Sequence, residues 1–506
     1  MEIDILGGSY RNRYIAFNSQ RTINWYMNVD MSEIEQSKQK KALFPTPGLA
    51  VFADSTLTYG RGGINAKTVS YNRAFAVFDN VLYEVSTDGT LTSRGTMTDM
   101  SIDSTEVYLK VNAGQQIMIA HSSASYTFNL STNVLAKITD GDFPGSIDSL
   151  DYTAGYGLVT SNGRVYYSDL NDFTSWNASS VFTPAASADN TLAICVWRDD
   201  VYCFGSYTVE TYVNDGTSPF SKQGRDTIDV GLVAVSTLKK FKDGMLFLGK
   251  SEEGQMNVYF HNGQTCESVT PFSVAWFLNN PLQLSGSTWD QLTTYTWDQW
   301  FEAWGSSIAS ATADLEYTRD GHILYLLTIP LLNTTYCLDF TTKIWTERQS
   351  YNPAALSEGE FRGRYFFNFD SLNLWFDKYT GKLLKEDYTI VTEDSSPITR
   401  TRICQIFSEE DKLISVYDLI LDVNTGMGLV ASPSTNANIA LYISKDAGNT
   451  YGSAKTLKLG SSSSYITRTR QTNLGTARKW ALKLVVTDAA DVMIQGAVAH
   501  GVIGKY

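Results

Sequence analysis

Side chains able to do metal or nucleophilic chemistry are few and far apart in this sequence of 506 residues. Its four histidines (His121, His261, His322 and His500) never fall within one helical turn of each other, so a histidine-based metal site is not expected. The cysteines show no CxxC spacing and lie among apolar or aromatic neighbours, as buried thiols do. This usage predicts folding in a reducing cytoplasm without a disulfide framework. The cysteines are Cys195, Cys203, Cys266, Cys337 and Cys404.

Motifs for nucleotide binding, serine hydrolysis, zinc proteolysis or an EF-hand are absent from the sequence. Gly155-Tyr-Gly157 and Gly426-Met-Gly428 lack the third glycine of a dinucleotide-binding loop. Asp140 and Asp142 flank one glycine and could ligate calcium, although such a pair more often closes a turn. The sequence therefore predicts no cofactor, no metal and no catalytic residue.

One local pattern, S-x-D-x-G-x-T-aromatic, begins at Ser444. In this Asp-box the serine and aspartate side chains are expected to close a hairpin through backbone hydrogen bonds, with the aromatic ring packed beneath. The motif is familiar from sialidases, so a glycosidase is one alternative. Glycoside hydrolysis needs a converging carboxylate pair or a tyrosine with an acidic partner, and nothing among the 53 acidic residues selects one. We predict a structural turn formed by Ser444, Asp446, Gly448, Thr450 and Tyr451.

The strands predicted from the sequence recur in units of about forty residues. Each unit reads as short apolar strands joined by tight turns, and aromatic residues, which favour strands, make up 13% of the chain. This period is typical of β-propeller blades, which bury their apolar faces against neighbouring blades. Asn162-Gly163, Asp243-Gly244 and Asp320-Gly321 are predicted to form two-residue hairpin turns with positive φ. The units begin at Ala74, Gln115, Gly155, Leu192, Leu238, Leu315 and Gly359.

The sequence predicts an all-β chain in three parts. Residues 1–60 form a segment of loops and strands that either closes the propeller by lending a strand or contacts neighbouring subunits. Residues 61–395 form a propeller of six or seven blades, and residues 396–506 a β-sandwich-like domain. The propeller carries an insertion at 285–307, either a small hairpin or helix on its own blade or a loop that exposes aromatic rings to a partner or a channel. Its tryptophans are Trp289, Trp297, Trp300 and Trp304.

The net charge of the chain limits the classes of partner that it is expected to bind. A net charge of −13 argues against a protein that wraps nucleic acid, because binding phosphate requires a basic surface. No run of about 18 apolar residues is present, and the first residues lack the basic start of a signal peptide, so we expect no membrane span. Several arginines are expected either on solvated sheet faces or against acidic neighbouring subunits. They are Arg11, Arg13, Arg21, Arg400, Arg402, Arg468, Arg470 and Arg478.

Three groups of motifs resemble one protein family, in the order in which the family has them. The first is NSQRTINWY at residues 18–26 followed by LFPTPGL at 43–49. The second is YTRDGHILY at 317–325 followed by YCLDFTTKIWTER at 336–348. The third is the Asp-box followed by the arginine-rich segment at 468–478. Together they resemble the packaged-DNA stabilisation proteins of short-tailed phages (podoviruses), also called tail nozzle or tail hub proteins.

The resemblance implies a non-enzymatic virion protein, made in the host bacterial cytoplasm and assembled as a hexameric ring below the portal and its adaptor ring. Propellers would surround a channel that retains packaged DNA and conducts it during ejection, without sequence-specific binding. Tail fibres or tailspikes and a tail plug or needle would be further partners.

Two points stay open beside the resemblance. Six copies would carry roughly −78 charges, which either form an acidic channel wall that repels phosphate or merely keep the surface soluble. The insertion has no counterpart in the family pattern. Because aromatic rings stack on sugars, it also supports a carbohydrate- or receptor-binding adhesin as the alternative function.

Overall fold

The computed structural model describes residues 2–12, 14–29, 41–184, 189–214, 216, 219–222, 227–280 and 308–504. Within these ranges the chain forms 45 strands, one α-helix and short 3-10 turns. The insertion at 285–307 lies outside the described residues, and so do Trp289, Trp297, Trp300 and Trp304. The Lys-rich stretch at 32–40 lies outside them too.

Six strands precede the first blade and are later shared among the other parts of the molecule. They are β1 (Glu2–Ile3), β2 (Tyr10–Arg11), β3 (Ser19–Ile23), β4 (Trp25–Val29), β5 (Lys41–Pro45) and β6 (Gly48–Asp54).

Four consecutive antiparallel sheets of four strands follow, and we call them blades one to four. Blade one has β7 (Gly60–Lys67), β8 (Asn72–Phe78), β9 (Val81–Val85) and β10 (Leu91–Thr96). Blade two has β11 (Tyr108–Val111), β12 (Gln116–Ala120), β13 (Ser125–Asn129) and β14 (Val134–Lys137). Blade three has β15 (Ser149–Thr153), β16 (Tyr156–Ser161), β17 (Arg164–Asp169) and β18 (Asp172–Phe182). Blade four has β19 (Thr191–Trp197), β20 (Asp200–Gly205), β21 (Val209–Val213) and β22 (Ser221–Lys222).

Three further sheets complete a seven-bladed arrangement. Blade five has β23 (Val230–Leu232), β24 (Lys239–Phe241), β25 (Gly244–Ser251), β26 (Met256–His261) and β27 (Cys266–Ser268), followed by helix α1 (Phe272–Asn279). Blade six has β28 (Thr312–Tyr317), β29 (Ile323–Ile329), β30 (Thr334–Asp339) and β31 (Ile344–Asn352), with β32 (Ser357–Glu360) on its edge. Blade seven has β33 (Gly363–Phe369), β34 (Leu372–Asp377) and β35 (Lys382–Asp387), and beyond them lie β36 (Thr392–Glu393) and β37 (Ser396–Pro397).

The strand patterns explain why the blades stack. In β8 five successive residues, 74–78, are buried, so both faces of the strand are apolar. Because side chains alternate across a strand, Phe75 and Val77 pack towards blade two, whereas Ala74, Ala76 and Phe78 pack towards blade seven. Neither face can be buried within one blade, so adjacent blades bury them for each other.

The seventh blade takes its fourth strand from the N-terminal segment. Strand β6 pairs antiparallel with β35, with Leu49 opposite Glu386 and Gly48 opposite Asp387. The inner strand β33 then packs against β7, and the rings of Phe78 and Phe376 lie 5.2 Å apart between blades one and seven. Residues from the two ends of the propeller sequence therefore close the ring.

The three predicted hairpin turns differ in the structure. At Asn162-Gly163 both residues have positive φ, 48° and 75°, as a two-residue turn between β16 and β17 requires. The prediction is wrong for Asp243-Gly244, because Phe241 pairs with Gly244 and the turn is instead Lys242-Asp243. Asp320-Gly321 belongs to a longer loop in which Gly321 has positive φ and Asp320 does not.

The C-terminal strands form a sandwich together with strands from the N-terminus. They are β38 (Arg400–Ile403), β39 (Phe407–Ser408), β40 (Ile414–Val423), β41 (Ala437–Ser444), β42 (Lys455–Gly460), β43 (Arg470–Ala477), β44 (Lys479–Val486) and β45 (Ile494–Ile503). One sheet has the order β4-β5-β45-β40-β43, with β1 on β45. The other continues blade six outward in the order β31-β3-β38-β44-β41-β42. Trp25 and Trp480 are fully buried between these sheets. An all-β propeller with a C-terminal β-sandwich is thus confirmed.

Candidate functional site: the propeller axis and the sandwich junction

Charged side chains from four blades meet at the propeller axis. The Asp151 carboxylate on β15 accepts from Lys110 Nζ at 2.9 Å and Lys240 Nζ at 2.6 Å, and from the backbone N–H of Val196 at 2.8 Å. Burial alone would raise the pKa of Asp151, but the two ammonium groups hold it well below its usual range. One carboxylate therefore connects blades two, three, four and five.

One further contact reaches across the axis, and another joins neighbouring blades beside it. Lys239 of blade five donates to Glu106, before blade two, at 3.1 Å. Asp314 of blade six accepts the backbone N–H groups of Tyr365 and Phe366 of blade seven at 3.2 Å and 2.9 Å. Burial raises the pKa of Asp314 to about 6, since desolvation penalises the carboxylate more than Lys239 and the N–H donors favour it.

These side chains line a cavity at the axis. Its volume is about 430 Å³, within the range of small-ligand pockets. A DNA duplex is wider than its own major groove, which measures about 12 Å, so the duplex does not fit into this cavity. A path for DNA must therefore lie outside the axis of the individual propeller.

We expect the Asp314 carboxyl to make stability fall with rising pH. Its folded pKa, about 6, lies above the unfolded value of roughly 3.9, so the protonated form stabilises the fold below pH 4 and this contribution is lost between pH 4 and 6. Two pK units correspond to about 3 kcal/mol at most. Urea unfolding from pH 4.5 to 7.5 should show a shallower decline for Asp314→Asn than for the native chain. Asp142→Asn, on an exposed loop, is the control, and equal slopes in all three proteins would contradict the prediction.

A second cluster joins the propeller to the sandwich, and the family-like N-terminal motif builds it. Arg21 on β3 forms a two-pronged ion pair with Glu347 on β31, at 3.1 Å (Nε–Oε1) and 2.5 Å (Nη2–Oε2). Asn24 has φ of 59° and its amide bonds the backbone of both Gln349 and Thr399. Asparagine tolerates this left-handed conformation, so the chain can turn here from one sheet of the sandwich to the other.

Arg402 lies at the centre of the junction and is fully buried. Its Nε donates to the Ile5 carbonyl at 2.6 Å, and Nη1 donates to the Gly8 carbonyl at 3.1 Å. Nη1 also reaches Thr22 Oγ1 at 2.8 Å, and Nη2 reaches Gln20 Oε1 at 2.7 Å. The guanidinium thus fastens the N-terminal segment to β38.

The expectation that these arginines lie on solvated faces or at subunit contacts is wrong for three of them. Arg400 and Arg402 have no exposed surface, and Arg21 pairs with Glu347 inside the chain. Alternation along β38 points both arginines of that strand to one face, but only the tertiary structure covers that face with the N-terminal segment. Arg470 is exposed and pairs with Asp418, as a solvated sheet-face charge does.

The other family-like motif contributes to the same region. His322 Nδ1 lies 2.7 Å from Asp339 Oδ2, and the Tyr26 hydroxyl donates to Asp320 at 2.6 Å. The Asp339 carboxylate raises the pKa of His322. On the next strand Arg348 donates to Glu316 at 2.6 Å, and both side chains are buried. The motif residues therefore tie blade six to the N-terminal segment.

The Asp-box lies between β41 and β42 of the sandwich. Ser444 Oγ donates to Asp446 Oδ1 at 2.7 Å and accepts the Gly448 N–H at 2.8 Å. Asp446 accepts the Thr450 N–H at 2.9 Å and its hydroxyl at 2.6 Å. These bonds lower the pKa of Asp446 to about 2. Tyr451 is half-buried, with its hydroxyl close to Gly448.

Other candidate chemistry is limited in the described ranges. Asp140 accepts the N–H groups of Asp142 and Trp176, as a turn-closing aspartate does. Across these ranges no group of three or more His, Cys, Asp or Glu side chains is placed to hold a metal ion. No helix in them is long and apolar enough to cross a membrane. Burial raises the pKa of the cysteine thiols, that of Cys404 to about 11.

Comparison with known families gives two matches along the chain. Residues 1–296 match the model of the bacteriophage P22 Gp10 β-propeller, and residues 399–501 match that of the Gp10 β-sandwich. The chain belongs to the bacteriophage P22 Gp10 family. As a member of this phage-stabilisation family, it is a structural component of a phage tail nozzle.

Other comparisons add little to the family assignment. No curated protein matches the chain. The extracellular domain of a putative hybrid two-component system from B. thetaiotaomicron is 9% identical to this chain, with a TM-score of 0.43. The match covers 76% of this chain and 43% of that one. The N-terminal domain of Nup159 is 10% identical, covers 73% of this chain and 99% of its own, and has a TM-score of 0.39.

Proposed function

We propose that this Gp10-family chain is a non-enzymatic subunit of a ring, hexameric by resemblance, that extends the channel of the portal and adaptor and retains packaged DNA until ejection. The family matches in both the propeller and the sandwich are the observation that carries this proposal. Adaptor proteins, tail fibres or tailspikes and a tail plug are the proposed partners. The proposed setting is the virion, after synthesis in the host cytoplasm.

The propeller axis supports a ring in which DNA passes between subunits. Ion pairs and buried side chains line a cavity of about 430 Å³ at the axis. A single propeller therefore serves as a rigid wall element, and several copies are needed to enclose a channel. We propose the division into residues 1–60, 61–395 and 396–506 as the functional parts, with the insertion at 285–307 as a contact to a partner or the channel.

A phage lacking this protein tests the proposal. We expect its heads to package DNA and then lose it, so that particles contain nuclease-sensitive or no DNA, and we expect plasmid-supplied protein to restore DNA-filled, infective particles. Supplying the protein without residues 285–307 tests the insertion, since loss of infection by otherwise complete tails would place it in ejection or binding. Stable DNA-filled and infective particles without the protein would contradict the proposal.

A further inference from the structure

Charge is divided unevenly between the two large parts of the chain. Residues 60–398 contain 22 Lys and Arg against 39 Asp and Glu, a net of −17. Residues 399–506 contain 12 Lys and Arg against 8 Asp and Glu, a net of +4. The propeller and the sandwich of two different copies therefore attract each other at long range, whereas two propellers repel.

Four of the twelve basic residues of the sandwich lie together at its distal edge. We call this the basic edge and define it by Lys445, Lys455, Lys458 and Arg468. Lys445 Nζ lies beside Gly475 of β43, and the Thr469 hydroxyl donates to the Lys458 carbonyl at 3.3 Å, so the four residues follow β42 and β43. Among the residues that the structure describes, none of the four has an ion-pair partner. The Asp446 carboxylate, next to Lys445 in the chain, is held by the Asp-box turn.

The same edge leaves backbone groups unused. Strand β42 pairs only with β41, and β43 pairs only with β40, within the described chain. A groove of about 470 Å³ lies between them, lined among others by Lys445, Lys455 and Asn473. An edge with unpaired N–H and C=O groups, beside basic side chains that have no ion-pair partner in the described chain, is suited to another polypeptide that carries negative charge.

The sheet topology directs this edge away from the subunit's own propeller. Strand β28 lies at the propeller axis, and the sheet runs from it through nine strands to β42. At about 4.8 Å per strand the edge lies roughly 40 Å along the sheet from the axis. That reach suits a contact with the next subunit of a ring.

Blade five carries a complementary surface. Val230 pairs with Ser251, so Asp229 lies beside Glu252 and Glu253 at one end of the blade. All three side chains are exposed, and none has an ion-pair partner in the described chain. Lys250, the nearest cation on the strand, lies over the Tyr207 ring at 4.5 Å.

We propose that the basic edge of one copy docks on the propeller of the next copy, against the acidic group of Asp229, Glu252 and Glu253. The inference rests on the proposed ring and assigns its contact. It is a head-to-tail contact, which closes a ring when repeated around an axis. DNA is the less suited occupant. The Asp446 carboxylate would repel its phosphates, and the unpaired N–H and C=O groups of the strand edges can bond a polypeptide backbone.

Charge reversal in the full chain tests the contact. We expect Lys455→Glu with Lys458→Glu to weaken ring formation at least about a hundredfold, because like charges then meet. Asp229→Lys with Glu252→Lys and Glu253→Lys should do the same. A 1:1 mixture of the two proteins should form rings again, since each altered edge then meets an oppositely altered propeller. Sedimentation at 0.15 M salt, with the adaptor ring present, measures the assembly.

Matched controls separate this inference from the proposed function. Lys67→Glu with Lys242→Glu changes the net charge equally at exposed propeller positions and should leave rings intact. Circular dichroism checks that every variant folds. Normal rings from either altered protein alone, or no rings from their mixture, would overturn the inference while the native ring persists. Normal rings that fail to hold DNA would assign the basic edge to DNA instead. A native chain that forms no ring would overturn the proposed assembly itself.

Discussion

Replacing Arg402 with methionine should destabilise the protein by about 3 kcal/mol or more. The side chain is fully buried and donates to the carbonyls of Ile5 and Gly8 and to the side chains of Gln20 and Thr22. Methionine fills much of the space but donates no hydrogen bond, so four acceptors lose their partner. The effect should exceed that of most single substitutions, because one group holds three segments together.

Guanidinium unfolding of the full chain measures this effect. Arg478→Met is the matched control, since Arg478 is half-exposed and its removal should change the free energy of unfolding by no more than about 0.5 kcal/mol. The N-terminal segment should also become sensitive to protease in Arg402→Met at lower denaturant than the blades. Equal stability of the two variants would show that the junction does not depend on this arginine.

Replacing Leu49 with alanine should open the propeller at its closing strand and cost about 2–5 kcal/mol. Leu49 on β6 is fully buried and packs with Leu326, Trp375 and Leu384, between blades six and seven. Removing its branched end leaves a cavity that these rigid neighbours fill poorly. The lost packing affects β6, the strand that joins the two ends of the propeller, so the substitution also weakens the closure of the propeller.

Val51 provides a control on the same strand. Its side chain is 45% exposed, so Val51→Ala should cost less than about 1 kcal/mol although the strand and the type of change are alike. Hydrogen exchange should show faster exchange in β6 and β35 for Leu49→Ala alone. Similar exchange and stability for both variants would contradict the role of β6 in closing the ring.

The repeat of apolar strands about every forty residues was enough to predict a propeller, because each blade consists of consecutive short strands that bury both of their faces against neighbouring blades. Residues 74–78 illustrate this, since every one of them is apolar and buried. Turn positions were less predictable. The turn lies at Lys242-Asp243 and not at the predicted Asp243-Gly244, because Phe241 pairs with Gly244. That pairing depends on which residues the two strands bury.

The family-like motifs could be recognised in the sequence, but their structural roles could not. Arg21 and Asn24 lie more than 300 residues before Glu347 and Gln349 along the chain, and they meet them because β3 inserts between blade six and the sandwich. Likewise Arg400 and Arg402 resemble solvated charges in sequence, and only the covering N-terminal segment buries them. No local signal carries such contacts.

The sequence by itself therefore determined the β class, a propeller of six or seven blades, the C-terminal sandwich and the family, since all of these follow from local periodicity and short motifs. The tertiary structure decided how the parts are joined. Strand β6 closes the propeller, and β3 joins blade six and the sandwich into one sheet. Asp151 connects four blades. These features depend on strand pairings and ion pairs between distant residues. Their energies depend on burial, which a linear pattern of residue types does not specify.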